Sequence, residues 1–403
     1  MSFKDVLKFK CGLIGNYFLS TVYACNRSFC GMAAPKKNYL FGIIFCTYTF
    51  LTAFFGSIFI MGPFLPLMLI NMKWFRTCMD FAINLWLILP GALFELFYGT
   101  KVVITGDQVD SSKSSLIVMN HRCRLDWMFY WMVHLRTGRL GNEKIIMRGD
   151  LKNMVGFGWC MQNVLYFFLQ RRWDLDHIYL DRMLNYFIDV NYPLQLFIFP
   201  EGTNMCKRGK SKSDSFAEKN GLPIYQYVLH PHVKGFNYLV QKLRGKVIDS
   251  IHDVTIGYPK NLCYGEKDLI TGNFPLEIHV YFKSYKISDI PNDSDSLDEW
   301  CKKIWLEKEE RLKKFYENGE FVGEPVHYND KNSMYKYNSI MGLVNLFWAT
   351  FLSTCVYSLW WSSFARWYSV FMVIFYVVVT FCGGVDKLQL YLHDKIKNKQ
   401  NLH

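Results

Sequence analysis

The chain has 403 residues, room for one large domain or two ordinary ones, and is 51% hydrophobic, 18% aromatic and only 20% charged. That apolar content excludes a disordered chain, and 12 cysteines diluted over this length exclude a disulfide-stapled mini-protein. The net charge of +12, from 46 Lys+Arg against 34 Asp+Glu, leaves nucleic acid, anionic membrane surfaces and phosphate-bearing substrates as partners.

Residues 1–37 form an N-terminal segment. Met1 to Lys10 is charged and the stretch after it is weakly apolar, which argues against a cleavable signal peptide. Asn26-Arg27-Ser28 is a glycosylation sequon whose use would put the N-terminus on the lumenal side. Residues 38–72 carry no charge, and about 20 apolar residues suffice to cross the hydrocarbon core. A span is expected at about 39–62, with Gly62, Pro63 and Pro66 marking a break or re-entrant bend. A second apolar segment, at about 80–99, contains Pro90 and Glu95 and is expected to be membrane-associated without spanning cleanly. Residues 38–99 are therefore read as an N-terminal membrane region.

Residues 100–336 alternate short β-branched runs with helical patterns, which predicts a layered α/β domain with a central mixed sheet. Strands are expected at 101–105, 115–119, 165–169, 194–199, 254–258 and 276–282, and helices at 127–135 and 178–190. Residues 297–316 read as an amphipathic helix over the sheet, with favourable pairs Glu307–Arg311, Glu309–Lys313 and Glu310–Lys314. Residues 337–385 are apolar and divided by Arg366 alone, predicting a two-helix transmembrane hairpin. The tail, 386–403, carries Lys387, Lys395, Lys397 and Lys399. With Lys331 and Lys336 before the hairpin, it predicts a cytosolic domain by the positive-inside rule.

Three predicted strand ends carry reactive groups. Asn120-His-Arg-Cys-Arg-Leu-Asp126 follows the strand 115–119; His121 is the side chain here suited to proton transfer, and Asp126 is close enough in sequence to orient its imidazole. Phe199-Pro-Glu-Gly-Thr203 ends another strand, with Glu201 and Thr203 as polar contacts and Gly202 permitting close backbone approach. Lys207, Arg208, Lys210 and Lys212 follow it, either as phosphate contacts or as a solvated basic loop. Arg171 and Arg172 end the third strand. No cysteine spacing suggests zinc, and Cys25 and Cys30 read as structural.

In this order, His121-x4-Asp126, Arg171 after Phe167-Phe-Leu-Gln, and Phe-Pro-Glu-Gly-Thr203 resemble the ordered blocks of the glycerolipid acyltransferase family, which includes the 1-acylglycerol-3-phosphate acyltransferases. Gly149-Asp-Leu-Lys-Asn-Met-Val-Gly-Phe-Gly-Trp-Cys-Met-Gln162, Phe216-Ala-Glu-Lys-Asn-Gly221 and Val228-Leu-His-Pro231 look most like its lysocardiolipin branch. Two features depart from the wider family: Asn204 stands where many members carry Arg, and Val228-Leu-His-Pro-His232 replaces a more apolar fourth block. The resemblance implies acyl transfer from acyl-CoA, as co-substrate with no bound cofactor and no metal, to a free hydroxyl of an anionic lysophospholipid. His121 would act as general base with Asp126 orienting it, and Asn120, Arg171, Glu201, Gly202 and Thr203 would bind the acceptor. Direct transfer needs no covalent step on Cys123. The expected setting is multi-pass in the endoplasmic reticulum membrane, with the bilayer as partner and no nucleic acid. A CoA-independent phospholipid transacylase and a non-catalytic membrane scaffold are the alternatives.

Overall fold

The computed structural model describes residues 38–400 apart from 111, 324 and 327–330. The sequon at Asn26 and the Cys25 and Cys30 positions lie outside the described residues. Helix α1, Tyr39–Gly56, is capped by the Asn38 side chain and runs on through a π turn, Ser57–Met61. The chain reverses at Asn71, which caps α2, Met72–Ala92. Pro90 lies inside α2 without ending it; a second π turn, Leu93–Tyr98, follows before Gly99 stops the helix with φ of +78°.

The domain then folds around seven strands: β1 Lys101–Gly106, β2 Ser115–Met119, β3 Glu143–Arg148, β4 Phe167–Leu169, β5 Gln195–Ile198, β6 Ser250–Gly257 and β7 Glu277–Lys286. Their order is β1-β7-β6-β2-β5-β3-β4. All neighbours pair in parallel except β6 and β7, so the sheet is mixed, as expected. β3 was not anticipated: it carries the charged pair Glu143 and Lys144, and both are buried. Glu143 is held by His134 and, at 2.9 Å, by the Trp131 indole N–H; Lys144 reaches Asp80 at 3.1 Å.

Helices cover both faces. On β2, Ile117 and Met119 pack with α2 and α3 (Asp126–Thr137), while Leu116 and Val118 face the opposite layer. The longer helices that follow in the domain, in chain order, are α4 Phe157–Asn163, α5 Trp173–Asp189, α6 Lys207–Lys219, α7 Val233–Leu243 and α8 Ser294–Asn318. α5, α7 and α8 form that second layer. The three ion pairs expected along α8 do not form. Glu307 pairs with Lys283 at 2.8 Å, Glu309 accepts from the backbone N–H groups of Gln226, Tyr227 and Val228, and Arg311 reaches Asp253 at 3.2 Å. Tertiary partners outcompete the weak intrahelical pairs because they satisfy groups that are already buried.

Among the described residues, four helices are long and apolar enough to cross a membrane: Tyr39–Ile70, Met72–Tyr98, Asn332–Trp361 and Ser363–Phe381. The last two belong to α9 Lys331–Trp361 and α10 Ser363–Phe381, which turn at Ser362 and present Leu343, Trp360, Phe364, Phe371 and Phe381 outward. Such an apolar exterior suits hydrocarbon rather than water. Met72–Tyr98 differs, being largely buried inside the protein. Its Arg76 donates to the Asn163 carbonyl at 3.1 Å and its Asp80 accepts from Tyr192 at 2.6 Å, which ties this segment to the domain as much as to lipid. The first π turn frees carbonyls that Tyr376 and Tyr368 of α10 take up, from Ser57 at 3.0 Å and Ile58 at 3.1 Å. The basic tail is helical: α11, Val385–Gln400, returns to the domain and buries Asp386 against Lys152 at 2.7 Å.

Candidate active site

β2, β4 and β5 are parallel neighbours or near neighbours, so the loops after them emerge on one edge of the sheet, the edge where open parallel sheets place their ligands. The loop after β2 carries His121, and α3 begins at Asp126. The Asp126 carboxylate is fully buried and accepts from four donors: His121 Nδ1–H at 2.9 Å, the Cys123 backbone N–H at 2.8 Å, the Cys123 thiol at 3.1 Å and the Tyr258 hydroxyl at 2.6 Å. With Asp126 as acceptor, the imidazole proton sits on Nδ1 and the Nε2 lone pair is left for a substrate hydroxyl. Phe199 stacks on the imidazole with ring centroids 4.0 Å apart, and Met205 N–H donates to the His121 carbonyl at 2.8 Å. The base is thus fixed by its own loop and by the loop after β5.

Cys123, inside the same motif, is unsuited to nucleophilic attack. Burial and the adjacent Asp126 push its thiol well above the usual range, so almost no thiolate forms.

The loop after β5 is tight. Gly202 has φ of +67° and donates to the Phe199 carbonyl at 3.0 Å. Arg171, also in the left-handed region at φ +63°, donates from its guanidinium to the Gly202 carbonyl at 2.9 Å. Such conformations concentrate at ligand sites, and here they set Arg171, Gly202 and Thr203 side by side near His121. The Thr203 hydroxyl takes no hydrogen bond from any described residue.

Two expected acceptor contacts face elsewhere. Asn120 is buried and its amide is committed to β6, donating to Ile256 O at 3.2 Å and accepting from Ile256 N–H at 2.8 Å. It clamps the end of β2 and does not reach the open face. Glu201 is 2% exposed and turns inward, toward the backbone amides of His121 and Leu229 without a close hydrogen bond to either. Burial pushes its carboxyl up to about 8.

Ionising this carboxyl therefore opposes folding. Its stabilising contribution is whole below the ordinary value of 4.5 and is lost as pH rises toward about 8. Glu201→Gln is expected to shrink the fall in Tm between pH 5 and pH 8. An unchanged slope in differential scanning fluorimetry would refute the inward, uncharged placement.

The basic stretch after Thr203 is a helix rather than a solvated loop. Lys207 and Arg208 open α6, and Lys210 pairs with Asp214 one turn on at 2.7 Å. One residue at the open face carried no role in the sequence reading: His232, at the start of α7. Its backbone N–H donates to the Pro200 carbonyl at 2.7 Å and its imidazole lies against Gly202. The departure from the apolar fourth block was its only signal.

Family models described as Acyltransferase and Acyltransferase C-terminus match residues 101–258 and 268–348. Lysocardiolipin acyltransferase 1 of Gallus gallus is 44% identical over 364 residues, covering 89% of this chain and 96% of that protein. The chain belongs to the acyltransferase family. Lysophosphatidylinositol acyltransferase 10 of Caenorhabditis elegans is 31% identical over 378 residues, covering 89% of this acyltransferase and 93% of that protein. A crystal structure of the 1-acyl-sn-glycerophosphate acyltransferase from Thermotoga maritima aligns with a TM-score of 0.42 at 15% identity, covering 68% of this chain and 96% of that one.

Proposed function

We propose that this acyltransferase moves a fatty acyl group from acyl-CoA to a free glycerol hydroxyl of an anionic lysophospholipid: lysocardiolipin, lysophosphatidylinositol or lysophosphatidic acid. The observation that carries the reading is the His121–Asp126 contact at 2.9 Å, on the same edge as Arg171 and Gly202. The names of the similar proteins, which include lysocardiolipin and lysophosphatidylinositol acyltransferases, support the acceptor class.

His121 Nε2 takes the hydroxyl proton as the oxygen bonds to the thioester carbonyl carbon. The carbon–sulfur bond then breaks and the proton passes to the departing CoA sulfur. Asp126 stabilises the imidazolium formed between these steps. Arg171 holds the acceptor phosphate, and the Thr203 hydroxyl offers a polar contact beside it. The mechanism calls on no metal and no bound cofactor. The setting we propose is the endoplasmic reticulum membrane, with the Lys-rich flanks of the α9–α10 hairpin supporting a domain on the cytosolic side.

Purified full-length protein in lipid nanodiscs, given labelled acyl-CoA and a panel of lysophospholipids, is expected to acylate the anionic acceptors. Transfer from a diacyl phospholipid without acyl-CoA would overturn the donor assignment and favour a transacylase. No transfer from either donor would leave a scaffold.

A further inference from the structure

The Phe199–Gly202 turn positions three side chains from three different loops. Phe199 stacks on His121, the Pro200 carbonyl anchors the His232 backbone, and the Gly202 carbonyl holds Arg171. A Cβ placed on Gly202 would come within 2.9 Å of His232 Cδ2 and 3.2 Å of Nε2, so the imidazole lies directly over this glycine. Arg171, Gly202 and His232 are all exposed. A cationic guanidinium and an imidazole thus flank one glycine with no side chain between them, and both reach the open face beside the general base.

We infer that His232 is a second phosphate-binding group of the acceptor site, acting with Arg171 on the headgroup phosphate of the lysophospholipid. This inference rests on the reading that the acceptor is anionic. A planar guanidinium supplies a forked pair of donors. An imidazolium placed across Gly202 supplies another from the opposite side, so the phosphate is gripped between two loops rather than held at one point.

The arrangement makes acceptor affinity pH-dependent. Free, His232 is held below the usual imidazole range by desolvation and by Arg171, the charged group that faces it from the turn after β4. On the loop after β5, Glu201 turns inward, away from the open face. An incoming anionic phosphate reverses the balance and favours the charged imidazole. Binding therefore takes up a proton, and the acceptor binds more tightly as pH falls.

The test is steady-state kinetics of the full-length protein in nanodiscs, with lysophosphatidylinositol and lysophosphatidic acid as acceptors between pH 6.0 and 8.0. For the wild type, acceptor KM should fall as pH falls. His232→Gln should raise acceptor KM about tenfold at pH 6.0, with little effect at pH 8.0. Its kcat and acyl-CoA KM should stay within twofold. His232→Arg should restore a low acceptor KM and remove its pH dependence. A rise in acyl-CoA KM would place His232 on the donor and overturn the inference. So would a loss confined to kcat, or an Arg variant that fails to rescue while its Tm is unchanged. Failure of the underlying reading looks different: the wild type itself would show no transfer to either anionic acceptor.

Discussion

His121→Ala is expected to lower acyl transfer by about 10²–10⁴-fold, the range for removing a positioned general base. The loss should fall on kcat, because His121 acts on the hydroxyl being transferred to and leaves phosphate binding to other groups. The fold should survive. The His121 side chain is 16% exposed, and its loss removes one hydrogen bond from Asp126 while the bonds from Cys123 N–H and Tyr258 remain. Asp126→Asn should match it in rate for a different reason. An amide cannot accept from four donors as a carboxylate does, so the imidazole loses its orienting partner and its tautomer. The double variant should be little slower than either single one, since the two act as a unit. Initial rates at saturating substrate decide this. A His121→Ala protein that keeps a tenth of wild-type kcat would end the general-base assignment.

The largest effect on stability is expected at Lys308. Lys308 and Asp253 are both fully buried beneath β6 and in contact, and Lys308 also donates to the Val254 carbonyl at 2.6 Å. Breaking a buried pair by removing one partner typically costs about 3–5 kcal/mol, because the other charge stays buried without full compensation. Arg311 reaches Asp253 from the side at 3.2 Å and offsets part of this. Lys308→Met should therefore lower stability by roughly 3 kcal/mol or more, read as a clear fall in Tm. Lys302→Met, on the same helix, is the control. Its pair with Glu299 is exposed, with side chains 47% and 71% accessible, and should change stability by less than about 0.5 kcal/mol. Equal effects at the two positions would show that the α8–β6 ion pair does not hold the domain together.

Much of this architecture was legible because it rests on local pattern. β1, β2, β6 and β7 are β-branched runs, and the α9–α10 hairpin is marked by two long charge-free stretches. The His121–Asp126 pair was legible because a reversal of that length can bring the carboxylate to the imidazole and because its block stands in order with the others that carry the family resemblance. What escaped is buried polarity. Glu143 and Lys144 hid β3, since a charged pair reads as surface until His134, Trp131 and Asp80 arrive from elsewhere in the chain. Asn120 and Glu201 were expected as acceptor contacts because they stand in the blocks that carry the family resemblance. Their inward rotation depends on Ile256, on the amides of His121 and Leu229, and on a sheet order no short window encodes. The stretch 165–169 shows the same limit at smaller scale: Leu165 takes φ of +58°, so the strand begins only at Phe167.

α11 ends the described chain, yet it reaches some of its earliest elements. Gln389 holds Arg76 of α2 and donates to the Gln162 and Asn163 carbonyls, and Asp386 neutralises Lys152. These contacts join residues 226 to 313 positions apart along the chain. Without α11, Arg76 would keep the Asn163 carbonyl but lose Gln389, and Lys152 would lose the buried carboxylate that faces it.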